Sequence, residues 1–262
     1  MNRFKDIIKK PWTWTILPAL LFALPFSLGK GWLQWLCLSL ILYLISLIFT
    51  YKKAIWFVLF VLSLLPSFTT VLISQLHSEK AFSSLEQVVF FFIFFLSLGL
   101  SYFLARRRKI IPPIALKEFS LGKIFLGFGA LFLTSLFVNL LAQALGLHTS
   151  TENQEALDKL AQIIPLGIFA TQTIFAGFFE ELTYRVGPFE ILFEKNKILA
   201  FLTASLLFAA VHSPTDLYSW LLYGSMSLVL TSFYFKYRNF YLNMTIHMLW
   251  NFLGISATFL IN

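Results

Sequence analysis

The segment "FAGFFEELTYRVGPFE", residues 175–190, decides how this chain is read. It lies near the end of a long apolar run, yet Glu180 and Glu181 stand in it side by side, with Arg185 just beyond. Working outward, hydrophobic residues make up 58% of the 262 and charged residues only 12%, roughly half the share in soluble domains. Apolar runs recur over 13–29, 31–50, 54–75, 88–105, 123–145, 161–187, 197–212, 216–235 and 240–260. Runs of roughly 20 apolar residues cross a hydrocarbon core of about 30 Å as helices. Helices satisfy their own backbone groups in lipid, and the runs lack the alternation of a barrel. The expectation is an all-α polytopic membrane bundle of about eight or nine transmembrane helices.

The net charge of +8 reads as orientation in a membrane rather than as nucleic-acid binding. With the N-terminus inside, all but Lys30, Lys80 and Lys159 of the 20 basic residues fall on the cytoplasmic side. A multi-pass protein of the plasma membrane with a cytoplasmic N-terminus is therefore expected. The first residues have a basic head and an apolar body but no small-x-small cleavage site, which reads as a retained first helix. Cys37, the single cysteine, has no partner for an intrachain disulfide. The basic, Pro-Pro-bearing segment "RRRKIIPPIALKEFSLGK", residues 106–123, divides accessory helices in 1–110 from a core in 123–262. The polar stretch "GLHTSTENQEALDK", residues 146–159, reads as a solvated outer connection, His148 included.

The ionisable groups left at bilayer depth are Glu180, Glu181, His212 and His247. Such residues are rare and face a bundle interior or a wet cavity. Glu181 and Arg185 are four apart on a helix and can pair, while Glu180 points about 100° away. In "FAAVHSPTDL", residues 208–217, Phe208 and His212 share a face, Ser213-Pro214 breaks the helix, and Ser213 with Asp216 can cap the next. In "NMTIHMLWNFLG", residues 243–254, Asn243, His247 and Asn251 form one stripe. Each pattern has a plain structural account: a helix-end charge cluster, a histidine held by a carbonyl, a polar stripe joining helices. No HExxH, P-loop, GxGxxG or GxSxG signature occurs.

"EELTYR", "FAAVH" and "HMLWN" match, in order, the EExxxR, FxxxH and HxxxN signatures of the CPBP (Abi) family. The chain resembles these CAAX-protease and bacteriocin-processing intramembrane endopeptidases over about residues 160–255. The resemblance implies a CAAX-protease-like helical core that hydrolyses a peptide bond of a membrane-associated peptide or lipid-modified protein. It implies that Glu180 and His212 activate water, that His247 and Asn251 bind the oxyanion or a metal, and that Glu181, Arg185 and Phe208 support them. The family is described both as metal-dependent and as a metal-free glutamate type. No cofactor is assigned; a zinc ion on Glu180, His212 and His247 is the alternative to the metal-free route. Two other classes use the same residues, an ion-coupled transporter and a catalytically idle membrane scaffold.

Depth is the remaining expectation. Pro188 is expected to end the helix that carries Glu180, which puts the site in the cytoplasmic half of the bilayer. His212, counted from Lys197 at about 1.5 Å per residue, lies about 20 Å from that side, too deep to meet Glu180 unless its helix tilts or starts outside the hydrocarbon.

Overall fold

The computed structural model describes residues 16, 19–20, 23, 32–50, 53–76 and 82–261. The chain forms two compact units, Met1–Val58 and Leu59–Asn262. The helices are α1 (Trp32–Thr50), α2 (Ala54–Leu76), α3 (Ser84–Arg107), α4 (Leu121–Ala144), α5 (Glu152–Ile163), α6 (Leu166–Glu180), α7 (Lys197–Val211), α8 (Leu217–Tyr237) and α9 (Phe240–Ile261). A π-helical segment, Glu181–Leu192, continues α6, and a 3₁₀ turn at Leu116–Glu118 precedes α4. There is no strand among the described residues. The protein is an all-α membrane protein. Three helical stretches, Ala54–Ser74, Ser84–Arg107 and Leu116–Ala144, are each long and apolar enough to cross a bilayer. The expected first span, 13–29, lies largely outside the described residues.

In the first unit, the indole N–H of Trp35 donates to the carbonyl of Leu20 at 3.0 Å. In the second, large side chains such as Phe92, Phe95, Phe125 and Phe137 point outward, an apolar coat suited to lipid. Phe90, Phe94, Leu131, Ile168 and Phe208 fill the interior. Helix starts follow local chemistry. Ser83 and Glu86 make a reciprocal capping box at α3, and Asn196 accepts from the N–H of Leu199 at α7. Asp216 caps α8 with Ser219, whereas Ser213 adopts a left-handed turn (φ 49°) and takes no part.

Two expectations change. The 146–159 stretch is not a simple solvated connection. Thr151 caps a helix, α5, through the N–H of Gln154, and its hydroxyl pairs with that of Tyr223 at 2.9 Å. Glu152 and Glu155 sit in its first turn, where the helix dipole favours them, so a polar sequence could still fold. Nor does Pro188 end the helix of Glu180: the π-helical turns run on to Leu192, closed by the Phe193 N–H on the carbonyl of Pro188 at 2.9 Å. In an α-helix the proline ring would collide with the carbonyl four residues back. The wider turn moves that carbonyl aside, and such turns occur often at functional sites.

One end of the second unit gathers residues 106–123, 189–197 and 236–241. There Arg238 pairs with Glu190 at 2.8 Å, Tyr241 donates to the carbonyl of Pro112 at 2.7 Å, and Asn239 donates to that of Glu118 at 3.0 Å. The opposite end gathers residues 139–166, 212–223 and the last turns of α9. There Tyr218 donates to Asn139 at 2.9 Å, and Phe169 packs on Phe259.

Candidate active site

The continued helix explains how His212 reaches Glu180. α7 and the π-helical segment both leave the turn at 193–196, so Glu180 and His212 are comparable numbers of residues from it. Because the helix runs on through Pro188, the two residues lie at matching depths. Glu180 lies near the middle of the continuous helix Leu166–Leu192.

The adjacent carboxylates have different surroundings. Glu181 is fully buried: one carboxylate oxygen meets Nη1 of Arg185 at 3.1 Å and Nδ1 of His247 at 2.9 Å, and the other accepts from Asn243 at 3.1 Å. Glu180 keeps 24% of its side chain exposed and lies 3.5 Å from Nε2 of His247. His247 therefore stands between the two, one ring nitrogen toward each. A carboxylate can only accept, so Nδ1 carries a proton toward Glu181.

His212 is held by its own helix. Its Nδ1 is 2.7 Å from the carbonyl of Phe208, which can only accept, so the proton sits on Nδ1 and Nε2 keeps its lone pair. Its ring stacks on Tyr223 with centroids 4.5 Å apart. The Phe208 ring meets His212 at 4.5 Å, meets His247 edge-on at 5.5 Å, and lies under the Arg185 guanidinium at 3.9 Å. That cation–π contact covers a charge with no water around it. The Phe of FxxxH thus serves through both its ring and its carbonyl. Asn251 donates one amide N–H to the carbonyl of Thr173 at 2.9 Å, which fixes the amide and leaves the other N–H to donate.

Glu180, His212, His247 and Asn251 all line one cavity of about 560 Å³. A smaller one of about 210 Å³ shares Glu180 and His212 and reaches toward Phe94 and Tyr184. Arg185 and Glu181 lie behind this wall. Gly177 permits the arrangement: a Cβ there would stand 2.9 Å from the backbone nitrogen of Met248, so only glycine lets α6 approach the helix of His247 this closely. As for a metal, no three His, Cys, Asp or Glu side chains among the described residues gather closely enough to hold one. Glu180, His212 and His247 as they stand do not fit a metal centre.

Asn243 and Tyr223 are the positions that the residue roles drawn from the motifs leave out. Asn243 also donates to the carbonyl of Leu230 at 2.7 Å and ties three helices at the buried carboxylate. Its place on the stripe with His247 and Asn251 was the available signal. Tyr223 had none: an aromatic residue in an apolar helix looks like any other core position.

Residues 162–253, which contain all three motifs, match the family described as Type II CAAX prenyl endopeptidase Rce1-like. UPF0177 protein YvdC of Lactococcus lactis subsp. lactis (strain IL1403) is 48% identical over 255 residues, 97% of this chain and 96% of that protein. No solved structure matches the chain. The chain belongs to the CPBP-type UPF0177 family, and its own Rce1-like stretch supports, at family level, a membrane endopeptidase.

Proposed function

We propose that this protein hydrolyses a peptide bond of a membrane-associated peptide or protein within the bilayer, by a metal-free route in which Glu180 is the general base. The observation that carries the reading is the pairing of a cavity-facing Glu180 with His212, whose Nε2 lone pair is free, on the wall that also bears His247 and Asn251. Water between Glu180 and His212 gives its proton to the Glu180 carboxylate as its oxygen attacks the substrate carbonyl carbon. The carbonyl electrons move onto oxygen, and that oxyanion takes hydrogen bonds from Nε2–H of His247 and the second N–H of Asn251. With Nδ1 protonated toward Glu181, His247 is then an imidazolium. Glu180 and Glu181 thereby balance Arg185 and His247. The tetrahedral intermediate expels the amine by breaking the C–N bond, and Glu180 returns the proton to that nitrogen. The products are a carboxylic acid and an amine, and the acid's proton passes to the amine to leave a carboxylate and an ammonium.

Residues 123–262 carry every group in this scheme and form the protease core, with 1–110 accessory. The protein would sit in the plasma membrane with its N-terminus in the cytoplasm. Membrane-peptide profiles of cells carrying wild type or Glu180→Ala test the reading. Peptides present only with wild type are expected; identical profiles overturn it.

A further inference from the structure

The cavity has a direction. From Glu180 its lining runs along α6 through Ala176 and Gln172 to Phe169, and from His247 along α9 through Asn251 and Gly254 to Ala257. Thr149, Thr151 and Asn153, at and before the start of α5, complete the rim. Every step leads away from the turn at 193–196. Toward that turn the interior is filled: Arg185, Phe189, Tyr234, Phe240 and Asn243 are buried, and none of them lines either cavity. Residues 112–118 are fastened across that end by Tyr241 and Asn239.

The two ends differ in charge. The closed end carries Arg106, Arg107, Arg108 and Lys109, then Lys117, Lys123, Lys195, Lys197, Lys236 and Arg238, against Glu118, Glu190 and Glu194. The connections at the open end, 145–165 and 212–216, carry Lys159 against Glu152, Glu155, Asp158 and Asp216. Excess Lys and Arg in short connections marks the cytoplasmic side. We infer that the cavity opens on the face away from the cytoplasm, and that its substrate is an extended peptide segment presented there, not a lipidated C-terminus on the cytoplasmic leaflet. The rim suits such a segment. Asn139, Thr149, Thr151, Asn153 and Gln172 bring amides and hydroxyls to peptide backbone, and Phe169, Leu222, Met226, Trp250 and Leu253 in the same lining take its apolar side chains. The substrate assignment rests on the peptidase reading; the direction of the mouth does not.

The test is cysteine labelling in intact cells with a small, charged, membrane-impermeant methanethiosulfonate, in a Cys37→Ser background. Ala176→Cys probes the cavity wall beside Glu180. Gly254→Cys is the second probe, since a Cβ there meets nothing within 4 Å. Lys159→Cys and Lys195→Cys, both exposed, mark the two faces. Ala176→Cys, Gly254→Cys and Lys159→Cys should label in intact cells, and Lys195→Cys only in inside-out vesicles. Cavity positions that label only from the inside, from both sides equally or from neither overturn the inference, as does labelling of Lys195→Cys from outside. Labelling needs no turnover and should persist with Glu180→Gln, so failure of the peptidase reading is separately visible. Peptides that depend on Glu180 should derive from extracytoplasmic segments; a set drawn wholly from cytoplasmic C-termini overturns the substrate class.

Discussion

Glu181 holds Nδ1 of His247 at 2.9 Å on the same carboxylate oxygen that meets Arg185 at 3.1 Å. Two neighbouring glutamates thereby divide the work. One orients an imidazole from behind, as a positioning carboxylate does for a catalytic histidine, and the other faces the cavity.

The division predicts opposite phenotypes. Glu180→Gln should fold and insert like wild type while cleavage falls by about 10² or more, the range for a lost general base. Glu181→Gln leaves Arg185 buried against a neutral amide and should lower the midpoint of thermal unfolding in detergent. Equal loss of yield in both variants would make the pair a purely structural cluster.

Arg185→Ala strands the Glu181 charge, a change that costs about 3–5 kcal/mol at buried pairs. Yield and melting temperature should fall. Removing both charges with Arg185→Met and Glu181→Leu should recover part of that stability but not cleavage, because His247 then lacks its anchor. A double variant no more stable than Arg185→Ala alone would show that the ion pair is not the source of the loss.

Gly177→Ala puts a Cβ against the backbone of Met248, which cannot yield as a side chain can. Overpacking of this kind costs about 1–3 kcal/mol. At Gly127 the nearest atom to an added Cβ is the flexible Cδ1 of Ile246. Gly127→Ala should therefore cost less, both in unfolding temperature and in turnover. The reverse ranking contradicts the close approach of α6 and α9.

Tyr223 is a positioning residue for His212. Tyr223→Phe keeps the stacked ring and loses the hydroxyl contacts to Thr151 and Asn153. Its kcat should stay close to wild type, whereas Tyr223→Ala should lower kcat with little change in KM. Parallel losses in the two variants, tracking melting temperature, would reduce Tyr223 to packing.

Purified protein should retain cleavage in the presence of a strong chelator and carry substoichiometric zinc. The chemistry assigned to Glu180, His212, His247 and Asn251 needs none. Stoichiometric zinc, with activity lost to chelator and restored by zinc, would overturn the metal-free route and make His247 a ligand.

What the sequence determined by itself follows from local rules. Apolar runs of bilayer length require helices, a four-residue spacing brings Glu181 to Arg185, and an acid ahead of α8 caps it. Three short motifs were enough to point to the family, because each lies within about one helical turn. Tertiary structure decided the rest, because those features depend on residues far apart in the chain. Glu181 meets His247 and Asn243 only when α9 packs on the π-helical segment, an approach permitted by Gly177. Tyr223 reaches His212 across a connection between helices, and its hydroxyl ties the start of α5 to the cavity rim through Thr151 and Asn153. Pro188 reads as a stop until the wide turn that accommodates it is seen. The direction in which the site opens is written in no motif; it arises from which side chains fill one end of the bundle and leave the other empty.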